Sequence, residues 1–307
     1  MLNSTTSENR AGFVSVVGRP NVGKSTLVNA LLGQKVAAVS PRPQTTRRQQ
    51  LGILTLDQAQ IVFTDTPGLH KPHHKLGNLM NEEVLLALES PDVILFMVAA
   101  SAEPHEEDRM LAAAIAELKG EHAVILVLNK IDMVPEGQLS ARKELYQTLL
   151  PDAELITVSA EVGENLGGLL EAVIAHLPPN PPFFPEDQVT DLYEREIAAD
   201  LIRAASLDLL RDEVPHAVAV RIDEYTERGA EGAYIEATLF VERDSQKGIV
   251  IGKGGSKLKE IGTAARKEIE AMSGRKVFLK LRVKVRPNWR NDDNFLGKFD
   301  FLSRKRS

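Results

Sequence analysis

Gly18-Arg19-Pro20-Asn21-Val22-Gly23-Lys24-Ser25 is the stretch whose reading decides the fold. It has the spacing G-x-x-x-x-G-K-[ST], with the apolar strand pattern of 13–17 leading in and a helix pattern over 24–32 leading out to Gly33. The glycines let the backbone curl until successive N–H groups converge on an anion, reinforced by the helix N-terminus. Lys24 then reaches terminal phosphates and the Ser25 hydroxyl is placed for Mg²⁺. The expected nucleotide contacts along the loop are Gly18, Asn21, Val22, Gly23, Lys24, Ser25 and Thr26. Chance produces this pattern in about one chain in a hundred of this length, so the context carries the argument.

Two further strings follow in order. Asp65-Thr66-Pro67-Gly68 ends the apolar run 59–64, where Asp65 can hold a metal through water and the Gly68 N–H can sense a γ-phosphate. Asn129-Lys130-Ile131-Asp132 ends the apolar run 123–128, at the carboxyl edge where α/β sheets bind ligands. The Asp132 carboxylate only accepts. It matches the N1–H and N2–H₂ donors of guanine and finds no such pair on adenine, which selects GTP over ATP. Asn129 ties loops together, and the Lys130 stem covers the base. Lys24, Gly68 and a switch threonine are the candidates for assisting hydrolysis.

Bulk properties narrow the class. The chain has 307 residues, enough for two cores, and no cysteine, which excludes disulfides, thiolate metal sites and a cysteine nucleophile. A polar start and no apolar run near membrane-span length lead to the expectation of a soluble, cytoplasmic protein. The net charge of −6 conceals an asymmetry: residues 241–307 carry 18 Lys and Arg against 8 Asp and Glu, so a basic end of +10 follows a body of −16.

Strand and helix patterns alternate to about residue 177, which predicts a mostly parallel, covered α/β sheet; runs 50–56 and 60–65, two-residue turn between them, make it mixed. Pro178-Pro179-Asn180-Pro181-Pro182 then breaks the pattern as a stiff linker, dividing the chain into domains 1–180 and 181–307. Phe183 and Phe184 are expected to pack into a core. Beyond them the order is α-β-β-α-α-β, a small α+β layer, with helix composition over 187–211 and inward Val218, Val220 and Ile222.

Within that layer stands Gly252-Lys253-Gly254-Gly255, between two short helix patterns. A G-x-x-G loop in this setting is that of a KH domain, which clamps the backbone of about four nucleotides of single-stranded RNA. Glycines permit close phosphodiester approach; Lys253 and Lys257 neutralise phosphates. The strand 278–285 sets Lys280, Arg282 and Lys284 on one face as further RNA contacts. Helix-first, strand-last order is that of the bacterial, type II fold.

The combined motif set resembles the Era family of bacterial ribosome-assembly GTPases, over about residues 12–306. The resemblance implies that Pro43-Gln44-Thr45-Thr46-Arg47 is the first switch, with Thr46, or alternatively Thr45, on Mg²⁺. It implies that Ser159 and Ala160 contact the guanine carbonyl, and that the KH domain binds the 3′ end of small-subunit ribosomal RNA. The partner would be the small ribosomal subunit during assembly, and the chain a monomer with transient contact at the inner membrane. No anchor is visible beyond the weak basic patch Arg304-Lys305-Arg306. Leu69 stands where Ras-like GTPases carry a water-orienting glutamine, so unaided hydrolysis should be slow. Asn21 then resembles the residue that holds K⁺ in related GTPases. His70, His73 and His74 read as a solvated loop. The competing reading is a membrane-associated signalling GTPase whose second domain binds protein; in another, an RNA-binding module turns over nucleotide incidentally.

Overall fold

The computed structural model of the chain describes residues 9–40, 42–118, 122–227 and 232–299; the basic patch at 304–306 lies outside them. The chain forms two compact units. One comprises residues up to Gln34, Gln49–Lys71 and Asn81–Asp191; the other comprises Lys35–Arg48, Pro72–Met80 and the chain from Leu192 onward. The division therefore differs from a single cut after residue 180 in two ways: 181–191 stay with the first unit, and the segments 35–48 and 72–80, the latter with the start of a helix, join the second.

The first unit is a six-stranded sheet in the order β2-β3-β1-β4-β5-β6. Its strands are β1 (Arg10–Val17), β2 (Gln50–Leu56), β3 (Ala59–Asp65), β4 (Val93–Ala99), β5 (Ala123–Asn129) and β6 (Glu154–Thr157). All pairs are parallel except β2 with β3, the expected hairpin. Strands buried on both faces need apolar side chains throughout, and β4, Val-Ile-Leu-Phe-Met-Val-Ala, is buried at every position. Its helices include α1 (Lys24–Leu32), α3 (Glu106–Ala116), α4 (Leu139–Gln147) and α5 (Leu166–His176); α2 (Lys75–Leu86) crosses the division at Met80. Because the strands run parallel, β1, β3, β5 and β6 all end at one sheet edge, which gathers four distant loops.

The proline segment is strapped to this unit. Ala11 N–H donates to the Pro178 carbonyl at 3.2 Å, and Ile53 N–H donates to Val189 at 2.9 Å, capping the exposed edge of β2. The expectation for the phenylalanine pair needs correcting. Phe183 is 45% exposed, its ring 5.2 Å from Phe13. What is clamped is the backbone: the N–H groups of Phe183 and Phe184 both donate to buried Gln60 Oε1, at 2.7 and 2.9 Å. A buried amide that must satisfy both of its ends fixes the strap, leaving the Phe183 ring exposed and Phe184 half-buried.

The second unit is a three-stranded sheet, β7 (Ala219–Glu227), β8 (Ala233–Val241) and β9 (Val277–Val285), with β8 central. β7–β8 is antiparallel and β8–β9 parallel, as a connection through α7 (Asp244–Ile251) and α8 (Ser256–Ser273) requires. α6 (Glu194–Leu209) and α8 cover one face; Ile197, Leu201, Ile235, Leu239, Ile261 and Ile269 form its core. The helix pattern begins later than the composition suggested, at Glu194, and a short α9 (Asp293–Gly297) was not foreseen. Trp289, fully buried, gathers Leu76, Met80, Phe240 and Phe295 into a smaller cluster.

Segment 35–48 is sewn into this same unit. Ala38 enters the main core. Arg203 donates to the Gln44 carbonyl at 2.8 Å and to that of Thr45, while Arg47 donates to Val218 at 2.9 Å and His216 at 3.1 Å. Both guanidiniums are buried, so each carbonyl they hold is a strong, dry contact.

Candidate nucleotide site and nucleic-acid interface

The phosphate loop runs from the end of β1 to the start of α1. A Cβ at Gly18 would lie 2.4 Å from the Met97 carbonyl, and Gly23 sits at φ +105°, so neither position accepts a side chain without rearrangement. Asn21 is also left-handed, at φ 64°. Lys24 is buried and arches over the loop, donating to the Gly18 and Arg19 carbonyls at 3.0 and 3.1 Å. Desolvation lowers its pKa to about 8, with Asp65 pulling the other way. A bound anion would restore what burial removes.

The ends of β1 and β3 meet through Ser25 Oγ, which donates to Asp65 Oδ2 at 2.6 Å. Gly68 lies against Pro20, whose backbone nitrogen would be 2.5 Å from an added Cβ, and Leu69 N–H donates to Gly18 at 3.3 Å. Glycine is therefore dictated twice across this contact. Thr26 follows on α1, half-buried.

Asn129 bridges two loops, donating to the Val22 carbonyl at 2.8 Å and accepting from Ala160 N–H at 3.0 Å. Lys130, left-handed at φ 64°, lays its ammonium on the Asn21 carbonyl at 2.7 Å, and partial burial lowers its pKa. Asp132 accepts from the buried Ser159 hydroxyl at 2.5 Å, which steers one carboxylate oxygen. Gly18, Asn21–Thr26, Asp65, Gly68, Asn129, Lys130, Asp132, Ser159 and Ala160 thus form one connected edge of the first unit. Thr46 is buried in the segment grouped with the second unit. Sequence reasoning missed Arg19, which donates from Nε to buried Asp108 at 3.1 Å and tethers the loop to α3. The partners are 89 residues apart, and no spacing signals them. His70 is held by Asn81 and by the Gly68 carbonyl, and among the described residues no cluster of His, Cys, Asp and Glu could hold a metal.

In the second unit the 252–255 loop links α7 to α8. Gly252, Gly254 and Gly255 all have positive φ, at 73°, 60° and 81°. A Cβ at Gly252 would come 2.7 Å from Lys257 Cβ, whereas Gly254 and Gly255 face open space. Lys253 is exposed beside them, and Lys257 pairs with Glu260 at 2.6 Å. From this loop a groove of about 520 Å³ runs between α8 and the edge strand β9, floored by Leu258, Leu279 and Leu281 and rimmed by Lys259, Lys280 and Arg266. An apolar floor with a cationic rim suits unstacked bases joined by phosphates.

Here the strand cations behave differently from their expected common role. Lys280, Arg282 and Lys284 do share the solvent face of β9, but only Lys280 rims the groove. Register places Glu236 opposite Lys280, and this one carboxylate pairs with Lys280 at 3.0 Å and Arg282 at 2.8 Å. Arg266 and Lys259 were overlooked. Their spacing on α8, with Thr263 between, would have shown one helix face turned to the groove.

A family model described as a 50S ribosome-binding GTPase matches residues 13–130, and a KH-domain model matches 213–290. A crystal structure of Era in complex with MgGDPNP and nucleotides 1506–1542 of 16S ribosomal RNA is 40% identical, covers 95% of this chain and 99% of that one, and superposes with a TM-score of 0.90. This chain belongs to the Era family. A point variant of Aquifex aeolicus Era bound to GDP·AlF4⁻ is similar to the same degree, at 40% identity over 95% and 99% of the chains, TM-score 0.89. Like its family, the chain is a GTPase with a KH domain.

Proposed function

We propose that this chain is a GTP-hydrolysing switch that binds the 3′ end of small-subunit ribosomal RNA through its KH domain and acts in assembly of the small ribosomal subunit. The observation that carries the reading is one edge of one sheet joining a phosphate nest, a carboxylate poised for guanine and the Asn129 bridge between them. A relative covering almost the whole chain was crystallised with 16S ribosomal RNA. The family-model description names the large subunit; we follow the closer match, which carries small-subunit RNA.

The geometry and the family resemblance support the following residue roles. Backbone amides at Gly18–Thr26 would cradle the phosphates, Lys24 would bridge the terminal two, and the Gly68 N–H would meet the γ-phosphate. Asp132 would read guanine under the Lys130 stem, with Ser159 and Ala160 beside the base carbonyl. A hydroxyl and a carboxylate 2.6 Å apart at a helix N-terminus are hard oxygen donors of the kind Mg²⁺ prefers. Ser25, Asp65 through water and Thr46, with Thr45 as its alternative, would hold that ion, which supplies charge neutralisation for the phosphates. Leu69 cannot orient water, so we assign the missing positive charge to K⁺ at Asn21, on the exposed crest of the loop. Hydrolysis in matched KCl and NaCl tests this: the KCl rate should be several-fold higher.

RNA contacts would be Gly252–Gly255 with Lys253 and Lys257, continued by Lys280; Arg282 and Lys284 would contribute less. The rival in which the second domain binds protein has no answer to three left-handed glycines beside a cationic groove. We place the chain in the cytoplasm as a monomer that touches the inner membrane only transiently; among the described residues no helix is long and apolar enough to cross a membrane. The test is GTP turnover with and without a short single-stranded RNA from the small-subunit 3′ end. Acceleration of turnover by that RNA, with none by a scrambled one, is expected. Unchanged turnover would remove the coupling between the two domains.

A further inference from the structure

A second cationic feature of the KH-bearing unit has no part in the groove. A cleft of about 380 Å³ opens beside β7, lined by Arg47, Arg48, Arg195, Arg203, Arg221 and Lys298. Only two carboxylates share the lining: Glu196 pairs with Arg48 and Asp200 with Arg203, both at 3.3 Å. Asp223, outside the lining, takes Arg221 at 2.6 Å. Among the described residues, Arg47, Arg195 and Lys298 have no carboxylate within ion-pair distance.

Arg47 is the sharpest case. Both of its terminal nitrogens serve backbone carbonyls, and its Nε is buried with no hydrogen-bond partner among the described residues. Like charges gathered with too few counter-charges are stabilised by an incoming anion, and guanidiniums match phosphate in geometry as well as sign. β7 and β9 are opposite edges of the sheet, so this cleft and the Gly252–Gly255 groove are separate surfaces of one unit. A KH loop clamps about four nucleotides, so any longer RNA must run over neighbouring surface.

We propose that the β7 cleft holds backbone phosphates of the same RNA, upstream or downstream of the nucleotides gripped in the groove. This rests on the RNA-binding reading above. The phosphate contacts are sequence-independent; they add affinity and orientation while the groove reads bases.

The test uses the full chain and two RNAs: one of about six nucleotides, little more than a KH loop clamps, and a longer one containing the same six. The variant R195E/K298E leaves the buried Arg47 and Arg203 in place and gives up one long contact, from Arg195 to the Ile222 carbonyl at 3.3 Å; R109E/K143E, on the other unit, changes net charge equally. Affinity of R195E/K298E for the long RNA should fall at least about tenfold near 0.1 M salt, with the salt slope reduced by about 2. Its affinity for the short RNA should stay within about twofold, which also shows that the unit remains folded. Equal losses for both RNAs, equal losses in R109E/K143E, or wild-type chain binding the long RNA no better than the short would each overturn the cleft. Wild-type chain that binds neither RNA would instead sink the RNA reading itself.

Discussion

The candidate nucleotide edge and the candidate RNA groove present their cations by opposite means. At the nucleotide edge every cation is tied down: Lys24 to two loop carbonyls, Lys130 to Asn21 and Arg19 to buried Asp108. In the groove the cations stand on long, half-free stems around an apolar floor; Lys280 is partly neutralised by Glu236, and Lys257 beside the loop by Glu260. The first arrangement has met its ordering cost before ligand arrives and can discriminate one base; the second tolerates sequence and adapts. A site that must distinguish GTP from ATP needs the former. One that follows a flexible strand needs the latter.

The largest expected effect therefore lies where geometry is most fixed. In D132N an amide replaces the carboxylate proposed to take two guanine donors, one of whose oxygens accepts from the Ser159 hydroxyl. GTP affinity should fall about a thousandfold, some 4 kcal/mol, with little change for RNA. Calorimetry against GTP, ATP and the short RNA checks all three. A loss of less than about tenfold would mean that the edge is not pre-organised for guanine.

G254D is the matching perturbation in the groove. Gly254 is left-handed with open space around it, a conformation Asp tolerates, so the fold should survive. The new carboxylate would face phosphodiester. RNA affinity should drop roughly thirtyfold, about 2 kcal/mol, with GTP affinity unchanged; fluorescence titration of both ligands decides it. A comparable loss of GTP affinity would show that the two sites are not separable.

The contrast also explains what could be read from sequence. Each nucleotide motif is a string of four to eight residues at a strand end, legible locally, and one parallel sheet brings the strings together although their mutual contacts, such as Ser25 with Asp65 and Asn129 with Val22, span 40 and 107 positions. The Gln60 clamp on Phe183 and Phe184 spans more than 120 residues, and nothing near Phe183 announces it. Arg282 illustrates the same limit in the second unit. Alternation along β9 correctly gave its face, but its partner, Glu236, depends on the register between β8 and β9, 46 positions away in the chain. Local pattern gives the face of a strand; pairing decides what that face can do.

A titration probes the fixed edge more gently. Lys24 has a pKa lowered to about 8, so its ammonium is largely present at pH 7 and is lost as pH rises through that value. Phosphate favours the charged form, so bound nucleotide raises the pKa and holds the proton. GTP affinity should then be flat below pH 7.5 and decline above 8, by about tenfold per unit at most. The same titration with RNA should show no step near pH 8. A GTP affinity constant from pH 7 to 9.5 would mean that Lys24 keeps its charge by other means.

The smallest effect separates two arginines of the same unit. Arg266 rims the groove from α8, whereas Arg282 lies on the open sheet face, paired with Glu236 and outside the groove lining. R266A should weaken short RNA about fivefold, the cost of one phosphate contact of about 1 kcal/mol. R282A should change it by less than about twofold, because an exposed, already paired cation contributes little. Reversal of that order would show that RNA crosses the outer face of β8 and β9 rather than the α8 side. Arg282 and Lys284 would then regain the role that β9's alternation first suggested, and the groove would lose its claim to the bases.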